Sequence, residues 1–210
     1  MDSTGFIPSA DAFEFDNSWP AAPAVQLRRI GIGNAANGLC GGMVFAALDY
    51  WDADREPPTT RPEPGSPLYR FIVRRLVASW HLPGGVARYY RWMTRPDADL
   101  ARRTLTRHWP RVLAGLNDGV PAPLGVVTVA GRNPLRLGAN HQVLAYAYTA
   151  ESSAVTLRVY DPNRGADDDV TISFPATAPG SGTAFGHNLG ISLPVRGFFV
   201  TGYRPARPPG

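Results

Sequence analysis

Residues 141–161 read HQVLAYAYTAESSAVTLRVYD. From His141 to Thr149 the side chains alternate between two faces, which is the period of a strand. Residues 154–160 repeat that pattern, and Ala150-Glu151-Ser152-Ser153 is short enough to join the two as a hairpin. In such a hairpin the first residue of one strand stands beside the end of the other. His141 and Asp161 are therefore expected at the same end of a sheet. Further strands are expected over 123–129, 169–174 and 197–203.

Upstream the period is helical. Cys40, Val44, Ala47, Leu48 and Trp51 recur at helical spacing, and Met43 with Phe45 widens the apolar surface, so this helix is expected to be buried on most sides. Five prolines from Pro57 to Pro67 make 52–67 a Pro-rich loop. Leu68, Tyr69, Ile72, Val73, Leu76 and Trp80 mark a helix over 68–80, with Arg70 and Arg74 facing away. A short helix is expected over 86–94 and a longer one from Asp97 to Leu116, kinked or divided at Trp109 by Pro110. Helices first and an antiparallel sheet second make the fold class α+β. Residues 1–24 read as an extended N-terminal arm: Phe13 and Phe15 alternate with Glu14 and Asp16, then Pro20 and Pro23 break the pattern. Residues 204–210 read as a loose tail, and 1–210 as a single domain.

Composition narrows the function classes. Of 210 residues, 44% are hydrophobic and 18% charged, and the net charge is +4. All 21 basic residues are Arg, which excludes a catalytic or Schiff-base Lys in this chain. One cysteine excludes an internal disulfide and a Cys-rich zinc module. No apolar run has the length of a membrane span, and the first residues lack the basic start and apolar core of a secretory signal, so the expected location is cytoplasmic. Arginines cluster at 70–75, 88–95 and 102–111, with Tyr89, Tyr90 and Trp92 among them. Without a nucleic-acid motif they read as solvated helix faces, and no nucleic-acid partner is expected. Asp167-Asp168-Asp169 reads as a solvated turn. His81, His108 and His187 are too scattered for zinc, so neither metal nor cofactor is expected.

The chemistry centres on Cys40, expected at the start of a helix inside Gly38-Leu39-Cys40-Gly41-Gly42. The positive end of the helix dipole favours a thiolate there, and first-turn N–H groups can meet an oxyanion. The flanking glycines are read as letting a substrate approach closely. The plainer alternative is a buried, inert cysteine. His141 can take the thiol proton and later deliver it to a leaving group. Asp161 can orient its ring, with Asn163 as the rival orienter.

Three segments carry a resemblance: Gly38–Met43, Asn140-His141-Gln142-Val143 and Val159-Tyr160-Asp161-Pro162-Asn163. With the order Cys, His, Asp, the chain resembles the papain-like cysteine peptidase superfamily, in its compact bacterial branch similar to bacteriocin-leader peptidases. The resemblance implies a papain-like fold, with an N-terminal helical part packed on the C-terminal sheet. It implies Cys40 as nucleophile, His141 as base and acid, and Asp161 as orienter. Asn34 stands near the place where the family carries its oxyanion-hole Gln. The implied activity is a thiol-dependent hydrolase acting on peptide or isopeptide bonds of a protein or peptide substrate. A thiol acyltransferase and a non-catalytic peptide-binding module are the alternatives.

Overall fold

The computed structural model describes residues 2–19, 25–27, 30–32, 38–82, 84–176 and 185–210. Its first elements are strand β1 (Asp2–Ser3), a single helical turn α1 (Pro8–Asp11) and the two-stranded pair β2 (Val25–Leu27) and β3 (Ile30–Ile32). Helices α2 (Cys40–Asp52), α3 (Pro67–Ser79), α4 (Gly84–Met93), α5 (Asp97–Arg103) and α6 (Trp109–Asn117) follow. Then come β4 (Ala122–Val127), β5 (His141–Ala150), β6 (Ala154–Tyr160), β7 (Thr171–Pro175), β8 (Gly186–His187) and β9 (Gly197–Val200). The chain is α+β, as its periodicity predicts.

The main sheet runs β8-β7-β6-β5-β4-β9 with every neighbouring pair antiparallel. β1 pairs with the far end of β5, Asp2 opposite Tyr148, and so continues the edge that β4 occupies nearer the start of the strand. The central hairpin forms as expected, with Leu144 opposite Tyr160. His141 and Asp161 therefore fall at one end of the sheet. A bulge at Tyr146 shifts the register and inverts the facing of the residues beyond it.

Residues 141–148 of β5 are all buried, so the strand is covered on both faces. Leu144, Tyr146 and Tyr160 pack with α2, α3 and the aromatic side chains of the N-terminal arm. Val143 and Ala145 of β5, with Val155, Leu157 and Val159 of β6, point the other way, against α5 and α6. The helices thus flank both faces of the sheet rather than one, because apolar side chains leave β5 and β6 on both sides.

Three local outcomes differ from what the sequence suggests. The N-terminal arm, read as extended over 1–24, is built into the core over its described residues 2–19, and 20–24 lie outside them. Phe6, Phe13, Phe15 and Trp19 are buried in the α2–α3 core, and Phe13 and Phe15 pack against Tyr50 and Trp19 respectively. The long helix divides ahead of Pro110 by widening, not by breaking. Thr104–His108 form a π-helical turn closed by the Trp109 N–H on the Thr104 carbonyl. The tail 204–210 has no regular structure but is tied down. The Ala206 N–H reaches Asp49, and Arg55 holds the Pro208 and Pro209 carbonyls. The segment 53–66 between α2 and α3 is free of helix and strand, as its prolines require.

Candidate functional site

Cys40 is the first residue of α2 and is partly exposed. Leu39 at the N-cap offers no side-chain acceptor to the first-turn amides. His141 is the first residue of β5 and only 4% exposed. Asp161 follows the last residue of β6 and is fully buried.

The imidazole Nε2–H donates to Asp161 Oδ1 at 2.6 Å. The same carboxylate oxygen accepts the Asn163 N–H at 2.9 Å, and Oδ2 accepts the Gly190 N–H at 2.8 Å. Each of these bonds favours the charged carboxylate and offsets the cost of its burial. The Asp161 pKa is lowered: burial opposes ionisation, but His141 and the two backbone amides outweigh it. On its other side the ring lies close enough to Cys40 for the two groups to interact electrostatically. Because Nε2 is held by Asp161, Nδ1 is the atom left to face the thiol. Burial disfavours the imidazolium, yet Asp161 and Cys40 together push the His141 pKa up to about 10. His141 and Asp161, expected at one end of the sheet, are hydrogen-bonded there, and the ring bonds to Asp161 and not to Asn163.

A cleft of about 430 Å³ opens onto His141. Its walls come from Asp16, Asn17 and Ser18 of the arm, from Gly38, from Gly138-Ala139-Asn140, and from Asn163 and Ile191. The approach to His141 is held firmly. Asn140 Oδ1 accepts the Thr128 N–H at 3.1 Å, and the Thr128 hydroxyl donates to the Ala139 carbonyl at 2.7 Å.

The glycines beside Cys40 have a different use from the one expected. A Cβ on Gly41 would lie 2.5 Å from Ser79 Oγ and 2.7 Å from the Gln142 amide. A Cβ on Gly42 would collide with the Ile72 carbonyl. Both residues are buried, and they let the start of α2 press onto α3 and β5. They seat Cys40 against its neighbours and leave no free space beside themselves. Gly38, with φ +88°, does line the cleft, and its missing Cβ leaves room for the Asn17 amide.

Asn34, the expected oxyanion-hole side chain, lies outside the described residues. Two neighbours of the site were not legible in the sequence. Tyr89 of α4 donates its hydroxyl to the His141 carbonyl at 3.0 Å, passing over Gly125, where a Cβ would come within 2.6 Å of that oxygen. Burial raises the Tyr89 pKa well above that of an ordinary phenol, and the nearness of Cys40 adds to it. Asn17 of the arm is the other; Phe13, Phe15 and Trp19 around it are the signal that the arm belongs to the core.

The remaining candidates are structural. Arg75, read as part of a solvated face, is buried and pairs with Asp49, Nε to Oδ2 at 2.6 Å. Arg70 and Arg74 are exposed. Asp167 and Asp169 pair with Arg164 and Arg158, and Asp168 accepts from Ser9. Among the described residues no His, Cys, Asp or Glu group could hold a metal ion, and no helix is long and apolar enough to cross a membrane. Comparison of the chain with protein families, curated proteins and solved structures returns no significant match.

Proposed function

We propose that the chain is a thiol-dependent hydrolase on a papain-like scaffold, acting on peptide or isopeptide bonds through a thioester. The observation that carries this reading is the Asp161–His141 hydrogen bond beside a cleft that His141 lines, with Cys40, at a helix start, close enough to act on the ring.

In this reading the Cys40 sulfur, its proton passed to His141 Nδ1, attacks the substrate carbonyl. The first-turn amides of α2 stabilise the oxyanion. His141 returns the proton to the leaving amine as the C–N bond breaks, leaving a thioester on Cys40. It then takes a proton from water, whose oxygen attacks the thioester and frees the acid and the thiol. Asp161 keeps the ring in the tautomer that these steps need.

The test is alkylation of Cys40 with iodoacetamide across pH 5–9, read by intact mass, in wild type and His141→Ala. The expected result is rapid stoichiometric labelling at neutral pH, slowed about 100-fold or more in the variant. Equal rates in the two proteins would remove the case for an activated thiol. A panel of acyl esters and peptides, with water or an added amine as acceptor, then separates hydrolysis from acyl transfer.

A further inference from the structure

The segment that presents the nucleophile and the segment that presents the orienter are far apart in sequence and belong to different elements. Something must keep them in register, because a displacement of about 1 Å at a reacting pair can cost 100-fold in rate. We propose that Asn17, on the N-terminal arm, is a positioning residue that locks the turn before Cys40 to the turn after Asp161. This inference rests on the thiol-hydrolase reading and adds a part to the same site.

Among the described residues Asn17 makes four hydrogen bonds. Its N–H donates to the Pro162 carbonyl at 2.8 Å, its Oδ1 accepts the Leu39 N–H at 2.6 Å and the Trp19 Nε1–H at 2.9 Å, and its Nδ2 donates to Asn163 Oδ1 at 2.9 Å. The orientation of the amide is set by chemistry. A backbone N–H and an indole N–H can only donate, so Oδ1 must face both, and Nδ2 is left for Asn163. Asn163 is fixed in the same way, since its own Nδ2 donates at 2.9 Å to the Gly190 carbonyl, which can only accept.

The chain of contacts closes on the site. The Leu39 N–H belongs to the residue before Cys40. The Asn163 N–H binds Asp161 Oδ1, the oxygen that also holds His141. Gly38 lacks the Cβ that would displace the Asn17 amide. The arm is anchored on both sides of Asn17, by Phe13 and Phe15 in the core and by the Trp19 ring against Tyr69. One amide therefore spans the two loops, and no other described side chain bonds to both.

The experiment compares wild type, Asn17→Ala, Asn163→Ala and Phe174→Leu. The last is a core change on the opposite face of the sheet, where Phe174 of β7 packs on Trp109. Two quantities are read for each: the urea midpoint, and the pH profile of Cys40 alkylation by iodoacetamide. Phe174→Leu is expected to lower the midpoint and keep the wild-type profile. Asn17→Ala is expected to slow labelling about 10- to 100-fold near neutral pH and to move the reactive limb toward alkaline pH. Asn163→Ala removes the other end of the same bond and is expected to reproduce that change, which keeps the test decisive if Asn17→Ala does not fold. A wild-type profile in the folded asparagine variants, with only the midpoint lowered, overturns the positioning role while leaving the hydrolase reading intact. A wild-type thiol that is already insensitive to His141→Ala overturns both.

Discussion

Helix α2 carries an ionisable pair near each end, and the two differ in what surrounds them. At its start, Cys40 acts on His141, which bonds to Asp161 and lines an open cleft. Near its end, Asp49 meets Arg75, whose guanidinium lies beside the rings of both Phe45 and Tyr203. The helix dipole favours an anion at the first position and disfavours one at the second. Burial pushes the Asp49 pKa up to about 6, even though the Ala206 N–H, the Tyr203 hydroxyl and Arg75 all act to lower it. The tail covers this pair, with the Arg204 carbonyl on Arg75 and the Ala206 N–H on Asp49. A guanidinium is a fixed donor, whereas an imidazole is a group that can both take and give a proton. Burial and charge alone do not mark a reactive site; a proton that can move and a route for substrate do.

The largest effect expected from this contrast is at Asp161. Asp161→Asn keeps the shape of the side chain but loses the charge, and it turns an amide NH2 toward either the Gly190 N–H or the His141 ring, where the carboxylate accepts on both sides. Turnover of any acyl substrate is expected to fall about 10⁴-fold, with the fold retained. Steady-state rates with far-ultraviolet circular dichroism check it. Unchanged turnover would make this pair structural, like the one at the other end.

Arg75→Ala is the counterpart. It strands Asp49 in the interior, and breaking a buried pair from one side costs about 3–5 kcal/mol. Cys40 and Asp49 are separated by about 13 Å along the helix, so the two ends should act independently. Urea unfolding should show the loss, while Cys40 alkylation in the folded fraction stays within about twofold of wild type. A parallel fall in thiol reactivity would show that the ends are coupled through the helix.

The difference between the ends also follows what the sequence makes legible. The helix from Cys40, the Pro-rich connection and the central hairpin are written in local periods, and all three form where those periods place them. His141 and Asp161 could be put together because a hairpin fixes which residues share a sheet end. The Asp49–Arg75 pair could not, since Arg75 sits at a helical position that reads as polar and finds its partner only when α3 packs on α2. Asn17 was out of reach for the same reason: its bond to Asn163 crosses 146 residues of sequence. Gly41 and Gly42 were visible, but glycine gives the same signal whether a substrate or a neighbouring helix comes close.

The smallest effect concerns the tail. Removing residues 204–210 takes away the Ala206 N–H and the Arg204 carbonyl, and lets water reach Asp49. The expected loss of stability is about 1–2 kcal/mol near neutral pH, the scale of one or two hydrogen bonds. The pH dependence is the sharper reading. Asp49 has a folded pKa of about 6 against an ordinary value of 3.8. Between those values the folded protein holds a proton that the unfolded chain has released, so this group makes stability fall as pH rises through the window. Without the tail, hydration returns the carboxyl toward its ordinary pKa, and that fall flattens. The remaining described carboxylates are common to both chains, so the difference between their urea midpoints at pH 4 and pH 6.5 isolates Asp49. The two midpoints should lie closer together in the shortened protein. If the spacing is unchanged, the tail does not seal the pair, and what separates the two ends of α2 is the partner each acid meets rather than access to solvent.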